Sequence, residues 1–140
     1  MIFFDTDICI DILHEKYSLS SFIETFSSQE KFAITSLSIF ELYMGYYKLL
    51  FGKTKLKDSY LVKERKNIEH LIQKLYIFPL TENAAQRAAE IFRQLEASGK
   101  VLDPFDCLIG SIILSSNYSK LLTRNVSHFK RIEGITVIEP

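Results

Sequence analysis

Acidic side chains that could bind a divalent cation stand at three separate places along this chain. Asp5 follows the short apolar run Ile-Phe-Phe, Glu41 comes five residues after Ser36, and Asp106 follows an Asp-Pro-Phe segment. Hard cations such as Mg²⁺ prefer carboxylate oxygens together with water. Carboxylates that pack together repel one another, so a cluster of these three would require a cation. Such a cation can promote the cleavage of a phosphodiester bond.

Each of the three acids also has a purely structural explanation at the start of a helix. Asp5 could cap the helix that follows it, because Asp is a favoured N-cap residue. Glu41 comes three residues after Ser38, which is the spacing of a capping box. Asp106 is favourable near the positive end of a helix that Asp103 would cap. Spacing alone leaves both explanations open at all three places.

Short apolar segments alternate with segments of helical period, which is typical of an α/β fold. The predicted strands cover residues 2–4, 32–34, 76–79, 120–122 and 136–138, and the first four are expected to be buried. The predicted helices cover residues 7–14, 18–27, 36–51, 60–75, 81–97 and 103–116. This alternation predicts one domain over residues 1–140, with a sheet of about five parallel strands that helices cover on both faces.

A parallel sheet would bring the polar residues that follow its strands to one edge, where ligands bind in such folds. Asp5 follows the first predicted strand and Glu41 the second, while Asp106 begins a helix that can face the same edge. The polar residues after the fourth strand are Thr123, Arg124 and Asn125. Asp7 and Asp11 lie on the first predicted helix, and at least Asp11 is expected on a solvated face.

The charged residues balance overall but are unevenly distributed. The chain has 17 basic and 17 acidic residues, which is a poor match to a protein that holds nucleic acid by bulk positive charge. One segment is nevertheless strongly basic, and we interpret it either as a solvated helical hairpin or as a phosphate-facing rim: Lys48, Lys53, Lys55, Lys57, Lys63, Arg65 and Lys66. A second basic group follows the fourth strand: Arg124, His128, Lys130 and Arg131.

Cysteine usage and hydropathy bear on the compartment. Cys9 and Cys107 fit no zinc spacing, so we expect free thiols in a reducing environment. The first residues lack the pattern of a signal peptide, and no apolar run is long enough to span a bilayer. These features predict a cytoplasmic protein that has no membrane partner.

Four blocks of the sequence resemble, in order, those of PIN-domain proteins, specifically the VapC-type toxins of type II toxin–antitoxin pairs. The blocks are Phe-Phe-Asp5-Thr-Asp-Ile, Ser36-Leu-Ser-Ile-Phe-Glu41-Leu-Tyr-Met-Gly45, Pro104-Phe-Asp106-Cys-Leu-Ile-Gly-Ser and Leu122-Thr-Arg-Asn125-Val-Ser-His-Phe129. They span nearly the whole chain. Asp7 departs from the family pattern, which often has Asn there, and Gly110-Ser111 replaces the usual Ala-Ala pair.

The resemblance implies a PIN-like three-layer sandwich and an endoribonuclease that depends on Mg²⁺ or Mn²⁺. By position, Asp5, Glu41 and Asp106 would bind the metal, and Asn125 would be a neutral fourth catalytic member. Possible accessory residues are Asp103, Asp7, Thr123 and Arg124. The implied partners are an RNA substrate, a second copy of the chain in a homodimer, and a cognate antitoxin held by the apolar helices between Phe40 and Leu75.

Two other classes of function remain open from the sequence. Asp5-Thr-Asp7 after an apolar strand also resembles the start of haloacid-dehalogenase-type phosphatases, in which Asp5 would be the nucleophile. That interpretation leaves Glu41 and the Thr-Arg-Asn block without a role. A non-catalytic interaction module with a PIN fold would need no metal at all.

Overall fold

Five short strands form one sheet in a computed structural model that describes all residues from 1 to 140. The strands are β1 (Ile2–Phe4), β2 (Phe32–Thr35), β3 (Tyr76–Phe78), β4 (Lys120–Leu122) and β5 (Thr136–Ile138). Their order across the sheet is β3-β2-β1-β4-β5, and every neighbouring pair is parallel. The predicted five-stranded parallel sheet is therefore confirmed.

Seven helices connect these strands. They are α1 (Thr6–Leu13), α2 (Leu19–Thr25), α3 (Ser36–Leu50), α4 (Asp58–Gln73), α5 (Glu82–Ala97), α6 (Pro104–Ser115) and α7 (Val126–Phe129). The first six match the predicted helices to within two residues at each end. The single turn α7 was not predicted, because four residues are too short to show a period. No helix has both the length and the apolar character needed to cross a membrane.

Helices cover both faces of the sheet, which gives the expected three-layer sandwich. On one face Ile2 and Phe4 pack with apolar residues of α1 to α4. On the other face Phe3 and Leu121 pack with residues of α5, α6 and α7. Side chains on successive strand residues point to opposite faces, so three consecutive apolar residues in β1 fill both layers.

Strand β3 differs from its prediction as a buried strand. Tyr76 and Ile77 are each about half exposed, at 52% and 53%. The reason is its place in the sheet, since β3 is an edge strand that pairs only with β2. Cys9 and Cys107, in contrast, are both free and both buried, as their apolar surroundings in α1 and α6 require.

We expect Leu121→Ala to lower the free energy of unfolding by about 2–5 kcal/mol, because Leu121 is fully buried and its removal leaves a cavity between sheet and helices. Chemical denaturation monitored by circular dichroism measures this change. Ile77→Ala is the matched control on the exposed edge strand, where the change should stay within about 0.5 kcal/mol. Similar losses for both variants would contradict the assignment of the core.

Candidate active site

Asp5 lies between the end of β1 and the start of α1, and its side chain is buried. One carboxylate oxygen, Oδ1, accepts a hydrogen bond of 2.8 Å from the backbone N–H of Thr6. The other, Oδ2, accepts one of 2.6 Å from the hydroxyl of Thr123, which directly follows β4. Asp5 is therefore the N-cap of α1, and its contact with Thr123 also joins the ends of β1 and β4. Its role as a metal ligand stays a prediction.

Glu41 lies in the second turn of α3 and is half-buried. The helix is capped by Thr35, whose hydroxyl accepts a hydrogen bond of 3.1 Å from the backbone N–H of Ser38. The predicted capping box of Ser38 and Glu41 is thus wrong, because α3 already begins at Ser36. Glu41 Oε1 instead accepts a hydrogen bond of 2.7 Å from the hydroxyl of Thr6, which fixes this carboxylate against the start of α1.

Asp106 is the third residue of α6, and its Oδ2 lies 3.3 Å from Nδ1 of His128 in α7. Asp103 could be a helix cap or an accessory site residue from the sequence; it is the N-cap of this helix, and its Oδ1 accepts a hydrogen bond of 2.8 Å from the backbone N–H of Phe105. Pro104 occupies the first helical position, where its missing N–H has no cost. Asp106 lies close enough to Asp5 and Glu41 for its charge to raise the pKa of both.

Asp11 is buried, so the prediction that it lies on a solvated face is wrong. Its Oδ2 is 2.9 Å from Nε of Arg124, and its Oδ1 is 3.0 Å from Nζ of Lys16. Asp7, one turn earlier on α1, accepts a hydrogen bond of 2.9 Å from the backbone N–H of Arg124. The two aspartates share one face of α1 because they are four residues apart, and that face meets the loop after β4.

Asn125 is exposed, and its side-chain amide forms no hydrogen bond with the protein. Its backbone N–H donates to the hydroxyl of Thr123 over 2.9 Å, which places it directly beside the hydroxyl that contacts Asp5. Its role as a neutral fourth member of the site stays a prediction.

Two contacts in this site involve residues to which the sequence patterns assign no role. Thr6 holds Glu41, and its position between two aspartates in the first sequence block was the only available signal. His128 contacts Asp106 although the three histidines lack ligand spacing and all are exposed. No spacing rule could have paired His128 with Asp106, because they are 22 residues apart on two different helices.

The carboxylates of the site share one negative field. The pKa of Asp5 is raised to about 7, mainly by burial and further by the charges of Asp7 and Asp106, against the lowering effect of the hydrogen bonds from Thr123 and Thr6. Burial is also the main cause that raises the pKa of Asp7, Glu41 and Asp106. For Glu41, the charges of Asp106, Asp103 and Asp7 add to this effect. Residues from separate segments of the chain are thus electrostatically coupled.

The donors at this edge fit a hard divalent cation. No three acidic, His or Cys side chains already converge on one coordination point. The carboxylates of Glu41 and Asp5 each accept a hydrogen bond from a threonine hydroxyl, and Asp106 contacts His128. However, Asp7 Oδ1 is buried and has no hydrogen-bond partner. A bound cation would satisfy this unpaired oxygen. The available ligands are carboxylate and hydroxyl oxygens, the set that suits Mg²⁺ and Mn²⁺.

We expect Asp5→Asn to stabilise the metal-free protein, and to do so more strongly as the pH rises. The folded-state pKa of Asp5 lies above its ordinary value of 3.8, so the stability of the protonated form is complete below that value. It is lost as the pH rises from 3.8 through about 7, because over this range the unfolded chain is ionised at Asp5 while the folded protein still binds the proton.

Thermal melts in chelator between about pH 5 and about pH 8 should therefore show a growing gap between Asp5→Asn and the unmodified protein. Glu24→Gln, on the exposed surface of α2, is the control and should show no such trend. A difference between Asp5→Asn and the unmodified protein that does not change with pH would rule out a buried, protonated Asp5.

Comparison with known proteins places this site in a family. Residues 2–135 match the family model described as PIN domain. No curated protein sequence gives a match. Among solved structures, the chain is similar to VapBC2 of Rickettsia felis bound to a promoter DNA fragment, with 22% identity and a TM-score of 0.82 over 100% of this chain and 99% of that chain.

Two further structures share this fold. DNA-bound VapBC of Salmonella typhimurium has 23% identity and a TM-score of 0.79 over 99% of this chain and 98% of that chain. VapBC-1 of nontypeable Haemophilus influenzae has 20% identity and a TM-score of 0.78, with the same shares covered. Since the family model covers nearly the whole sequence, the chain belongs to the PIN-domain family.

Proposed function

We propose that this PIN-domain protein is a metal-dependent endoribonuclease. The observation that carries the proposal is the buried Asp5 in one negative field with Asp7 and Asp106, at the edge where parallel sheets bind ligands. Asp5, Glu41 and Asp106 would hold Mg²⁺ or Mn²⁺. When bound, such an ion would supply Lewis-acid stabilisation of the charge that develops as a phosphodiester is cleaved.

The surrounding groups orient the acids before any ligand arrives. Thr123 and the N-terminus of α1 hold both oxygens of Asp5, and Thr6 holds Glu41. The Thr123 hydroxyl also favours the charged form of Asp5, because a hydrogen bond to a carboxylate lowers its pKa. Fixed side chains lose little entropy when substrate binds, which favours a catalytic arrangement.

Arg124 is the residue we propose to contact the RNA phosphate. Its Nε is held by Asp11, but a guanidinium has further N–H donors on its two terminal nitrogens. Asp11 is buried and holds Nε of Arg124, whereas the Arg124 side chain is exposed. The terminal nitrogens of the guanidinium therefore stay available to a ligand. Planar guanidinium donors match the oxygens of a phosphate.

The two alternative functions receive less support. A phosphatase with Asp5 as nucleophile disagrees with the PIN-domain match, and it leaves the contact between Thr6 and Glu41 without a purpose. A non-catalytic module would have no reason to keep several carboxylates buried against their mutual repulsion, since that arrangement costs stability.

We also propose that the protein is the toxin of a toxin–antitoxin pair that acts in the cytoplasm. The solved structures of similar fold are VapBC complexes. An apolar cleft of about 210 Å³ between α1, α3 and α4 would accept the antitoxin segment. Its apolar lining residues are Ile10, Leu13, Leu42, Tyr46, Leu49 and Ile68. The homodimer implied by the sequence resemblance is part of this proposal.

Asp5→Asn and Asp106→Asn should each lower the rate of RNA cleavage by about 100-fold or more, because each removes a proposed metal ligand. The measurement is cleavage of labelled total bacterial RNA by purified protein with Mg²⁺ or Mn²⁺. Chelator should abolish the activity of the unmodified protein, and added cation should restore it.

Glu96→Gln is the control for this comparison, because Glu96 is an exposed acid of α5 outside the site. It should cleave RNA at the rate of the unmodified protein. Cleavage that persists in chelator and in both aspartate variants would rule out the proposed metal-dependent mechanism.

Gly45→Leu should prevent antitoxin binding while RNA cleavage continues. Gly45 lines the cleft, and a Cβ at this position meets no atom within 4 Å, so the added side chain fills the cleft without distorting α3. Co-expression with a VapB-type antitoxin encoded next to this gene, if the gene neighbourhood contains one, followed by purification, tests for the partner. Ile77→Ala is the control outside the cleft, and retention of the partner by Gly45→Leu would contradict the cleft assignment.

A further inference from the structure

The connection between α3 and α4 carries positive charge that the protein leaves unneutralised. Between residues 48 and 66, seven basic residues stand against two acidic ones, a net charge of +5 in a chain whose total is zero. The remaining residues therefore carry −5. All seven basic side chains are exposed, and among them only Arg65 forms a salt bridge, with Glu69.

Exposed aromatic rings lie among these cations. Phe51, at the end of α3, is 80% exposed, and its ring stacks on that of Tyr47 with centroids 5.9 Å apart and an interplanar angle of 20°. Tyr60, in the first turn of α4, is also exposed. Cations that follow a backbone and rings that stack on bases together form the usual binding surface for single-stranded nucleic acid.

The position of this surface relative to the acids is set by α3. Glu41 lies near the start of the helix and Phe51 directly follows its end, which places them about 15 Å apart along the axis. The acidic edge of the sheet repels a polyanion, whereas the far end of α3 attracts one. An RNA strand that is cleaved at the acidic sheet edge can therefore be held at the other end of α3.

We propose that residues 47–66, which we name the basic arm, dock the single-stranded backbone of the RNA substrate several nucleotides from the cleaved bond. This inference rests on the proposed ribonuclease function and adds the place where the substrate is held. The lysines contact phosphates, and Phe51 stacks on a base. The apolar cleft between α1, α3 and α4 borders the basic arm, because Leu49 and Glu64 line it, but none of the lysines of the arm does.

A charge-reversal variant tests the basic arm. Lys53, Lys55 and Lys57 lie in the irregular segment before α4, so their joint replacement by Glu breaks no helical hydrogen bond. In the Asp5→Asn background with chelator, a labelled single-stranded RNA reports binding through fluorescence anisotropy. The triple variant should bind about tenfold or more weakly at about 0.1 M salt, and the slope of log affinity on log salt should fall by about 2.

The matched control changes the net charge equally at exposed lysines outside the arm. It carries Lys31→Glu, Lys74→Glu and Lys100→Glu in the same background. Its RNA affinity should change by less than about twofold, because distant exposed charges are screened at this salt concentration. An equal loss in both triple variants would overturn the proposal, since bulk charge and not the arm would then govern binding.

Phe51→Ala tests the stacking contribution separately. It should weaken binding of the single-stranded RNA by about fivefold or more and leave binding of an RNA duplex unchanged, because paired bases offer no free face. Equal effects on both RNAs would contradict base stacking by Phe51.

Two results distinguish failure of this inference from failure of the proposed function. RNA binding by the triple lysine variant that equals that of its parent would overturn the basic arm. If the same variant loses binding to an acidic peptide but not to RNA, the surface would be assigned to a protein partner. Absence of RNA cleavage by the unmodified protein would overturn the ribonuclease function. The binding measurement does not depend on cleavage, so a tenfold loss in the arm variant would still support the arm.

Discussion

The burial of carboxylates that also repel one another at one sheet edge is the constraint around which this site is organised. Burial is the main cause that raises the pKa of Asp5 to about 7, and the charges of Asp7 and Asp106 add to it. The contacts of Thr6, Thr123 and Arg124 each offset part of this repulsion. The caps and loops near the site therefore serve to hold unfavourable charges in place, an arrangement more common at functional sites than in structural cores.

The same constraint bears on how a neutral chain would perform the proposed function on a polyanion. The total charge of zero conceals an acidic sheet edge and a basic arm at the two ends of α3. In the proposed function, a cation at the acidic edge would allow a phosphate to approach, and the basic arm would attract the RNA directly. Helix α3 thus links the two charge regions, with Glu41 near its first turn and Phe51 beyond its last.

Much of the fold follows from local pattern. The apolar strands β1, β2 and β4 and six of the helices lie where alternation and period predict them, because burial on both faces demands uninterrupted apolar residues. The exposed edge strand β3 and the single turn α7 do not follow from pattern. Tyr76 belongs to an apolar, aromatic segment that is typical of a buried strand, and only the order of strands in the sheet places it at an edge.

For the site, the sequence by itself determined which acids follow strands and helix starts, and from this it predicted that Asp5, Glu41 and Asp106 lie at one edge of a parallel sheet. Tertiary structure alone decided that Asp11 is buried against Arg124 and that His128 meets Asp106. The physical reason is that the hydrophobic periodicity of a segment indicates which of its own residues face the interior of the protein. Which elements meet, and so which charges are paired, depends on contacts between residues far apart in the chain.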